Sequence, residues 1–376
     1  MRVYPLSYLH LFFFLLGINL SRGWFQPQPL QPRRLALVTG ATGRTGKLIC
    51  QLLVEQGFDL RILARNVPKA KEILRPVLPQ DANIEYCQAD MGDEASIHAA
   101  FARNYKRPVT HVVYTAGGED ADYYDVSYQG VATCAQEAAK FKSVQHMVFV
   151  SSAWSTRPYS IASLLFNSLY ETIPMACHYM GEQEIRRQAK LSPQQFNYVI
   201  LRPGGLNQDE RYAKKYPEAY AQRQTSITYQ QGDTFQFLGP AGRPGMCRSQ
   251  LAHIVSTAVN VEGCYTVEVT GSGNVDWSDA SVYATTLRSD DNVPNAAGLL
   301  TTRDENEVFS IHKKAIDELK IAAVAASLAG VGLVIFLGWL SGLLSLVAVD
   351  AFIIAIWRIF YADIQLWWQE CTTWFT

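Results

Sequence analysis

Short apolar runs alternate with amphipathic stretches through most of the chain, and this alternation predicts an α/β fold with a doubly wound parallel sheet of the Rossmann type. Each run is rich in β-branched or aromatic residues and is followed by glycine or polar residues, as in strands buried on both faces. The predicted strands are 35–39, 60–64, 84–87, 111–114, 146–150 and 198–201. The spacing of apolar positions between them predicts helices over about 47–56, 94–104 and 127–142.

The segment after the sixth strand has shorter apolar runs than the segments before it. Residues 229–269 contain two or three short apolar runs and one predicted helix over 249–259. They are too few for a separate enzyme domain, and we interpret them as a cap on the substrate side of the sheet. Residues 271–306 are rich in Ser, Asn and Asp, a composition typical of loops. We therefore place the Rossmann domain at 34–270 and a linker at 271–319.

A long uncharged run, residues 321–349, lies near the C-terminus. About 20 helical residues, at about 1.5 Å each, cross the hydrocarbon core of a bilayer, so the run predicts a transmembrane helix in contact with lipid. Aromatic residues follow it within the C-terminal segment 320–376, as at a membrane interface. The sequence leaves open whether this segment is one span with an interfacial helix or two tight spans, and whether a membrane protein is a further partner.

Charge around the uncharged run predicts its orientation. Three lysines precede the run, whereas Arg358 is the one basic residue that follows it soon after; the lysines are Lys313, Lys314 and Lys320. Because basic residues favour the cytoplasmic side of a membrane, we expect the soluble domain on the cytoplasmic or stroma-equivalent side.

The N-terminal residues 1–33 have the pattern of a targeting segment. Residues 8–20 form a short apolar core, and the first acidic residue of the chain is Glu55. This arrangement resembles the bipartite presequences of algal plastid proteins, so a plastid membrane is the suspected location. A plain secretory signal or an N-terminal anchor, with a secretory-pathway membrane as the location, remains an alternative.

Charge and cysteine content narrow the function classes. The formal net charge of −1 argues against nucleic acid as the main partner. The seven cysteines are scattered and never form a C-x-x-C pair, so the sequence predicts neither a zinc site nor a disulfide framework. We expect buried thiols in a reducing compartment and no bound metal.

The strongest chemical signal is a glycine-rich turn between the first strand and the first helix. It places Gly40, Gly43 and Gly46 at a G-x-x-G-x-x-G spacing, with Thr42, Arg44 and Thr45 between them. The first glycine permits the tight turn, the second lets the backbone approach a pyrophosphate, and the third permits close packing of the helix. The free amides of the helix N-terminus then face the phosphates, which predicts a dinucleotide site.

The end of the second strand indicates which dinucleotide is bound. NAD-selective sites carry an acid there, which binds the ribose 2′-hydroxyl. Here the strand ends in Arg65, and Arg44 is a second cation near the same place. Because guanidinium groups pair well with phosphate oxygens, NADP(H) is favoured over NAD(H).

Ligands of parallel α/β sheets bind outside the carboxyl ends of the strands. The residues at these ends are therefore further candidates for the site: Asp90, Met91, Thr115, Ala116, Gly117, Ser151 and Ser152.

Together these motifs resemble the atypical short-chain dehydrogenase/reductases, and most closely their NmrA-like NAD(P)-binding branch. The motifs that carry the resemblance are the glycine turn, Asp90-Met91, the segment 125–130, Val150-Ser-Ser152 and Leu201-Arg-Pro-Gly-Gly205. The resemblance implies that Asp90 and Met91 contact the adenine and that Ala116 and Gly117 lie beside the ribose of the nicotinamide. It also implies that Arg44 and Arg65 face a 2′-phosphate.

The catalytic pair of the superfamily, Tyr-x-x-x-Lys, has no match among the tyrosines after the fifth strand. His178 or Tyr179 remains a candidate proton donor, and Ser151 or Ser152 a candidate for orienting a carbonyl. Two functions stay open: a membrane-anchored, NADPH-dependent reductase of a lipophilic substrate, and a non-catalytic NADP(H)-binding subunit that senses redox state or assists assembly.

Overall fold

Eight strands form one sheet in the computed structural model of the protein. The structure describes residues 34–103, 107–118, 122–170, 172–207, 214, 227–234, 245–276, 279–290, 300 and 302–340. The strands are β1 (Leu35–Thr39), β2 (Asp59–Ala64), β3 (Ile84–Gln88), β4 (His111–Tyr114), β5 (His146–Val150), β6 (Asn197–Pro203), β7 (Gly205–Asn207), β8 (Ile227–Gln230), β9 (Gly245–Cys247) and β10 (Cys264–Val275). The order in the sheet is β3-β2-β1-β4-β5-β6-β10-β8, and a separate pair joins β7 and β9.

Every neighbouring pair in the large sheet is parallel except β10 with β8. The chain passes from strand to strand through helices, as parallel neighbours require. The helices are α1 (Gly46–Glu55), α2 (Val67–Leu74), α3 (Glu94–Ala102), α4 (Gly130–Lys140), α5 (Ile161–Leu169), α6 (Pro174–Leu191), α7 (Arg248–Ala258), α8 (Ser281–Thr285) and α9 (Glu305–Leu340). The predicted Rossmann-type α/β sheet is confirmed.

An apolar core lies on each face of the sheet. In β1, Ala36 and Val38 belong to one core, whereas Leu35 and Leu37 belong to the other. Since side chains alternate between the faces of a strand, the continuous apolar sequence of β1 fills both cores at once.

The predicted helix over 127–142 has an irregular first turn. Residues Tyr124–Gln129 form a π-helix, and α4 continues from it as an ordinary α-helix. The backbone amide of Gly130 donates to the carbonyl oxygen of Asp125, five residues earlier. Periodicity alone does not reveal such a wider turn, which inserts one extra residue.

The segment interpreted as a cap extends the main sheet instead. β10 pairs with β6 along Cys264–Val269, and β8 pairs with the other edge of β10. Their apolar side chains, among them Ile227 and Val267, are buried in the core against α7. The cap interpretation is therefore corrected for these strands.

Residues assigned to the linker pack on the domain. Tyr283 of α8 lies in the core, and the first turns of α9 bury Val308, His312 and Ile316. Asn167 of α5 is hydrogen-bonded to His312 at 3.0 Å. The buried residues in the first turns of α9, which include Ala315, recur every three or four residues, so one face of this part of the helix belongs to the domain.

Within the part of the chain that the structure describes, no helix is both long enough and apolar enough to cross a membrane. The predicted targeting segment, residues 1–33, lies outside the described residues. So do the end of the uncharged run, 341–349, and the aromatic tail, 350–376.

Candidate functional site

The glycine turn is built tightly against the end of β4. Gly40 has a φ of 68°, and a Cβ at this position would lie 2.6 Å from the amide nitrogen of Ala116. A Cβ on Gly46 would collide with the carbonyl of Gly40, so the third glycine allows close packing of helix and turn. The amide of Gly43 donates to the Gly40 carbonyl at 2.9 Å. Glycine is therefore required at 40 and 46 by the fold of the turn itself.

Thr39 joins the ends of β1 and β4, and sequence reasoning did not single it out. Its hydroxyl oxygen lies 3.2 Å from the amide of Thr115 and 3.3 Å from that of Ala116, and accepts from both. The hydroxyl of Thr115 donates to the Thr39 carbonyl at 2.7 Å. These bonds bring the predicted residues Thr115 and Ala116 directly beside the glycine turn.

The tip of the turn faces solvent. Thr42 and Gly43 are exposed, while Arg44 and Thr45 are half-buried. The side chain of Thr45 makes no capping hydrogen bond to α1, and the first turn of this helix holds no acidic residue. An accessible, positively polarised helix N-terminus next to a close backbone turn fits a pyrophosphate.

Arg65 stands at the end of β2, and its side chain is 70% exposed. One of its guanidinium nitrogens lies 3.4 Å from a carboxylate oxygen of Asp122, a residue that follows β4. Since β1 lies between β2 and β4, this ion pair reaches across the edge where the glycine turn sits. The sequence predicted the arginine but not its acidic partner.

Asp90 and Met91 follow β3, at the outer strand of the same edge. The Asp90 carboxylate accepts from the amide of Gly92 at 3.1 Å, and the amide of Asp90 donates to the hydroxyl of Ser96. Met91 is buried, and a Cβ built on Gly130 would lie 2.8 Å from the Cβ of Met91. The start of α4 thus presses against the predicted adenine-side residues.

The carboxyl ends of β5 and β6 hold a buried ionic network. The Glu182 carboxylate of α6, with no exposed surface, accepts from the Ser151 hydroxyl at 2.7 Å and from the guanidinium of Arg202 at 2.9 Å. Burial raises the pKa of Glu182, but the charges of Arg202 and Arg186 and the bonds to it outweigh burial and bring the pKa to about 2. Glu182 is therefore ionised at neutral pH.

Arg186 of α6 extends this network to Asp290, which follows α8 in the chain. Arg186 pairs with Glu182 at 3.1 Å and with Asp290 at 3.1 Å. Asp290 also accepts from the hydroxyls of Tyr198 and Thr266. Carboxylates from α6 and from near residue 290 thus neutralise the buried Arg202 and the partly buried Arg186, which holds α6 and β6 together at this point.

The candidate proton donors on α6 are engaged or neutral. The Tyr179 hydroxyl donates to the carbonyl of Thr302 at 2.8 Å, and burial raises its pKa. Burial lowers the pKa of His178 to about 4, so its imidazole is neutral at pH 7. The Ser152 hydroxyl donates to the neighbouring Ala153 carbonyl at 3.2 Å.

A second buried carboxylate fixes the loop after β5. Asp233 accepts from the amides of Trp154 and Thr156 at 2.7 and 2.9 Å. Trp154 has a φ of 67° and Asp233 a φ of 54°, values that L-residues other than glycine rarely adopt. The loop beside the candidate site is thus held in a strained conformation by one carboxylate.

Cysteines and possible metal ligands are the remaining reactive side chains in the part of the chain described. The described cysteines are free, and most are buried; burial raises the pKa of Cys50 to about 12. Among the described residues, no three His, Cys, Asp or Glu side chains lie close enough together to hold a metal ion.

A family model described as NAD(P)H-binding matches residues 40–231, just over half of the chain. The chain therefore belongs to this NAD(P)H-binding family, and the resemblance to the atypical short-chain dehydrogenase/reductases of the NmrA-like branch is confirmed. A search of curated proteins found none that matches the chain.

Three solved structures illustrate what the chain is similar to. A putative NAD-dependent epimerase/dehydratase from Bacillus halodurans has 18% identity and a TM-score of 0.47, over 65% of this chain and 97% of that one. An alcohol dehydrogenase from the archaeon Thermococcus sibiricus, complexed with 5-hydroxy-NADP, has 16% identity and a TM-score of 0.46, over 64% and 98%. The Bordetella bronchiseptica enzyme WbmG, in complex with NAD, has 17% identity and a TM-score of 0.43, over 77% and 96%.

Proposed function

We propose that the protein binds NADP(H) along the edge formed by the glycine turn, with Arg65 and Arg44 on the 2′-phosphate. The support is electrostatic. β2 is followed directly by an exposed arginine rather than by a carboxylate, and Arg44 lies in the turn that follows the neighbouring strand β1. Two guanidinium groups favour a phosphate over a hydroxyl, because they pair with its charge and its oxygens.

Calorimetric titration of the full-length protein with NADPH and NADH tests this proposal. We expect NADPH to bind more tightly, and Arg65→Asp to weaken NADPH binding by about tenfold or more while sparing NADH. Lys69→Asp is the matched control, since it makes the same charge reversal on an exposed residue of α2. Unchanged selectivity in the Arg65 variant would refute the assignment of the 2′-phosphate.

We further propose that the bound coenzyme acts as a ligand to be sensed, in a redox-sensing or assembly subunit. One observation carries this choice. The hydroxyls of Tyr179 and Ser151, two of the predicted catalytic groups, already donate to Thr302 and to ionised Glu182. A relay hydroxyl must instead face the carbonyl of a substrate.

A reductase of a lipophilic substrate is the second candidate, favoured by the open space at Gly117. A Cβ built on this residue would meet no described atom within 4 Å, so the end of β4 has room beside it. Hydride transfer itself requires only an oriented nicotinamide and an electrophile. NADPH consumption by the full-length protein, measured across quinones and aldehydes, separates the candidates; turnover would favour the reductase.

The proposed site of action is a membrane, with lipid contacts along residues 321–349. The uncharged run begins within α9, where Ile321 and Val324 are 68% and 60% exposed. A plastid membrane, or one of the secretory pathway, follows from the predicted targeting segment, with the domain on the cytoplasmic or stroma-equivalent side. Co-flotation of the full chain with liposomes, lost on truncation after Lys320, is the expected result.

A further inference from the structure

The π-helix Tyr124–Gln129 lies between the candidate coenzyme site and α9. π-Helices are rare, and single π-turns occur frequently at functional sites. This one comes after β4 in the chain and continues directly into α4. One side of the π-helix and its flanks contacts residues of the candidate coenzyme site, and the other side contacts α9.

On the side of the coenzyme site, the π-helix and its flanks touch residues predicted to hold the nucleotide. Asp122, two residues before the π-helix, pairs with Arg65. A Cβ on Gly92 would lie 3.4 Å from the Asp125 side chain, which places the π-helix against the turn that follows Met91. The element therefore adjoins both the proposed phosphate contact and the adenine side.

On the opposite side, the π-helix holds the first turn of α9. The hydroxyls of Tyr124 and Tyr128 donate to the two carboxylate oxygens of Glu305, at 2.7 and 2.9 Å. The ring of Tyr124 also lies 5.9 Å, between centroids, from that of Phe309. Both oxygens of one carboxylate are thus bound by residues four apart on one face of the π-helix.

We propose that this π-helix couples coenzyme occupancy to the docking of α9, an inference that rests on the proposed NADP(H) binding. A 2′-phosphate attracts Arg65 more strongly than the exposed Asp122 does, because it carries more charge and more acceptor oxygens. When Arg65 turns to the phosphate, Asp122 loses its partner at the start of the π-helix. The backbone of the first turn of the π-helix then moves, and this shifts the hydroxyls of Tyr124 and Tyr128 relative to the Glu305 carboxylate.

The coupling must act in both directions. If NADPH changes how firmly α9 is held, then the hold on α9 changes the affinity for NADPH by the same factor, which is typically about fivefold or more for linked sites. Coenzyme affinity and α9 exchange are therefore two independent readouts of one quantity.

Hydrogen exchange on the full-length protein in detergent, with and without NADPH, tests the coupling. We expect saturating NADPH to change amide exchange in residues 305–316 by about fivefold. The Tyr124→Phe/Tyr128→Phe variant should lose this response and bind NADPH with a Kd changed by the same factor. Glu307→Gln is the matched control, since Glu307 lies in the same turn of α9 but bonds to Thr302.

A second variant guards against misfolding of the tyrosine double variant. Asp122→Asn alters only an exposed side chain, and we expect it to abolish the exchange response while NADPH still binds. Binding of NADPH with unchanged exchange in α9 would overturn this inference and leave the proposed function intact. If NADPH does not bind at all, the proposed function fails, and this inference fails with it.

Discussion

Two groups of charged residues stand at the same edge of the sheet, and burial separates them. The first surrounds Glu182, at the ends of β5 and β6, where the carboxylate and its partner Arg202 are almost wholly shielded from water. The second is the pair of Arg65, just after β2, and Asp122, in the segment between β4 and the π-helix, with side chains 70% and 49% exposed. The chemistry is the same, guanidinium with carboxylate.

The difference in burial gives the two groups different consequences. In the buried group each charge depends on its partner, because an unpaired ion in the interior costs several kcal/mol. In the exposed pair, water replaces a lost partner, and such pairs contribute about 0–1 kcal/mol. The buried group therefore fixes the architecture beside the candidate site, whereas the exposed pair is free to exchange partners with an incoming anion.

The largest effect should follow from Glu182→Gln. The substitution keeps the shape of the side chain but leaves Arg202 without its countercharge, and we expect the free energy of unfolding to fall by about 3–5 kcal/mol. Urea denaturation followed by circular dichroism measures the change. Glu184, in the same helix, pairs with Arg187, whose side chain is 54% exposed. Glu184→Gln should therefore lower the free energy of unfolding by about 1 kcal/mol or less. Equal losses in the two variants would contradict the distinction by burial.

Acid should reveal the same network with a somewhat smaller effect. The Glu182 pKa is about 2 in the folded protein against an ordinary 4.5, so its stabilisation is complete above about pH 4.5 and is lost as the pH falls towards 2. Between pH 5 and pH 3, the stability difference between wild type and Glu182→Gln should narrow by about 2 kcal/mol.

Comparing wild type with Glu182→Gln at each pH also controls for groups that titrate in both proteins. His146 and His312, buried histidines whose pKa values burial lowers to about 4, destabilise both proteins alike as the pH falls below 6.5. Their contribution cancels in the difference. Parallel stability curves for the two proteins would show that Glu182 is not held ionised by its arginines.

The sequence predicted the strand, turn and helix around the glycine motif correctly because the signals for them are local. Gly40, Gly43 and Gly46 lie within one turn of chain, and the strand and helix around them follow from short-range periodicity. The structure shows why two of the glycines are needed: a Cβ on Gly40 or Gly46 would strike backbone atoms. Thr39 directly precedes this motif in the sequence. Its hydrogen bonds to Thr115 and Ala116, however, require β4 to lie beside β1, which no local pattern shows.

The buried network escaped prediction because it is assembled over long sequence separations. Glu182 meets Ser151 across 31 positions, and Asp290 meets Arg186 across 104. The sequence showed Ser151 and Arg202 at strand ends, but nothing in it indicated that one carboxylate of α6 would bind both. Val308 and His312 lie within the segment assigned to the linker, yet both are buried against the domain. The polar residues around them hid this short buried stripe from a reading of the sequence.

The smallest effect should come from Asp122→Asn, and here the two regions should differ most clearly. We expect the free energy of unfolding to change by less than about 0.5 kcal/mol, because Arg65 stays solvated without its partner. NADPH binding should strengthen, since Arg65 no longer has to leave a carboxylate, whereas NADH binding should stay the same. Titration calorimetry at low and at moderate salt measures both, and the gain should shrink as salt screens the exposed pair. A stability loss as large as that of Glu182→Gln would show that exposure does not decide the strength of these ion pairs.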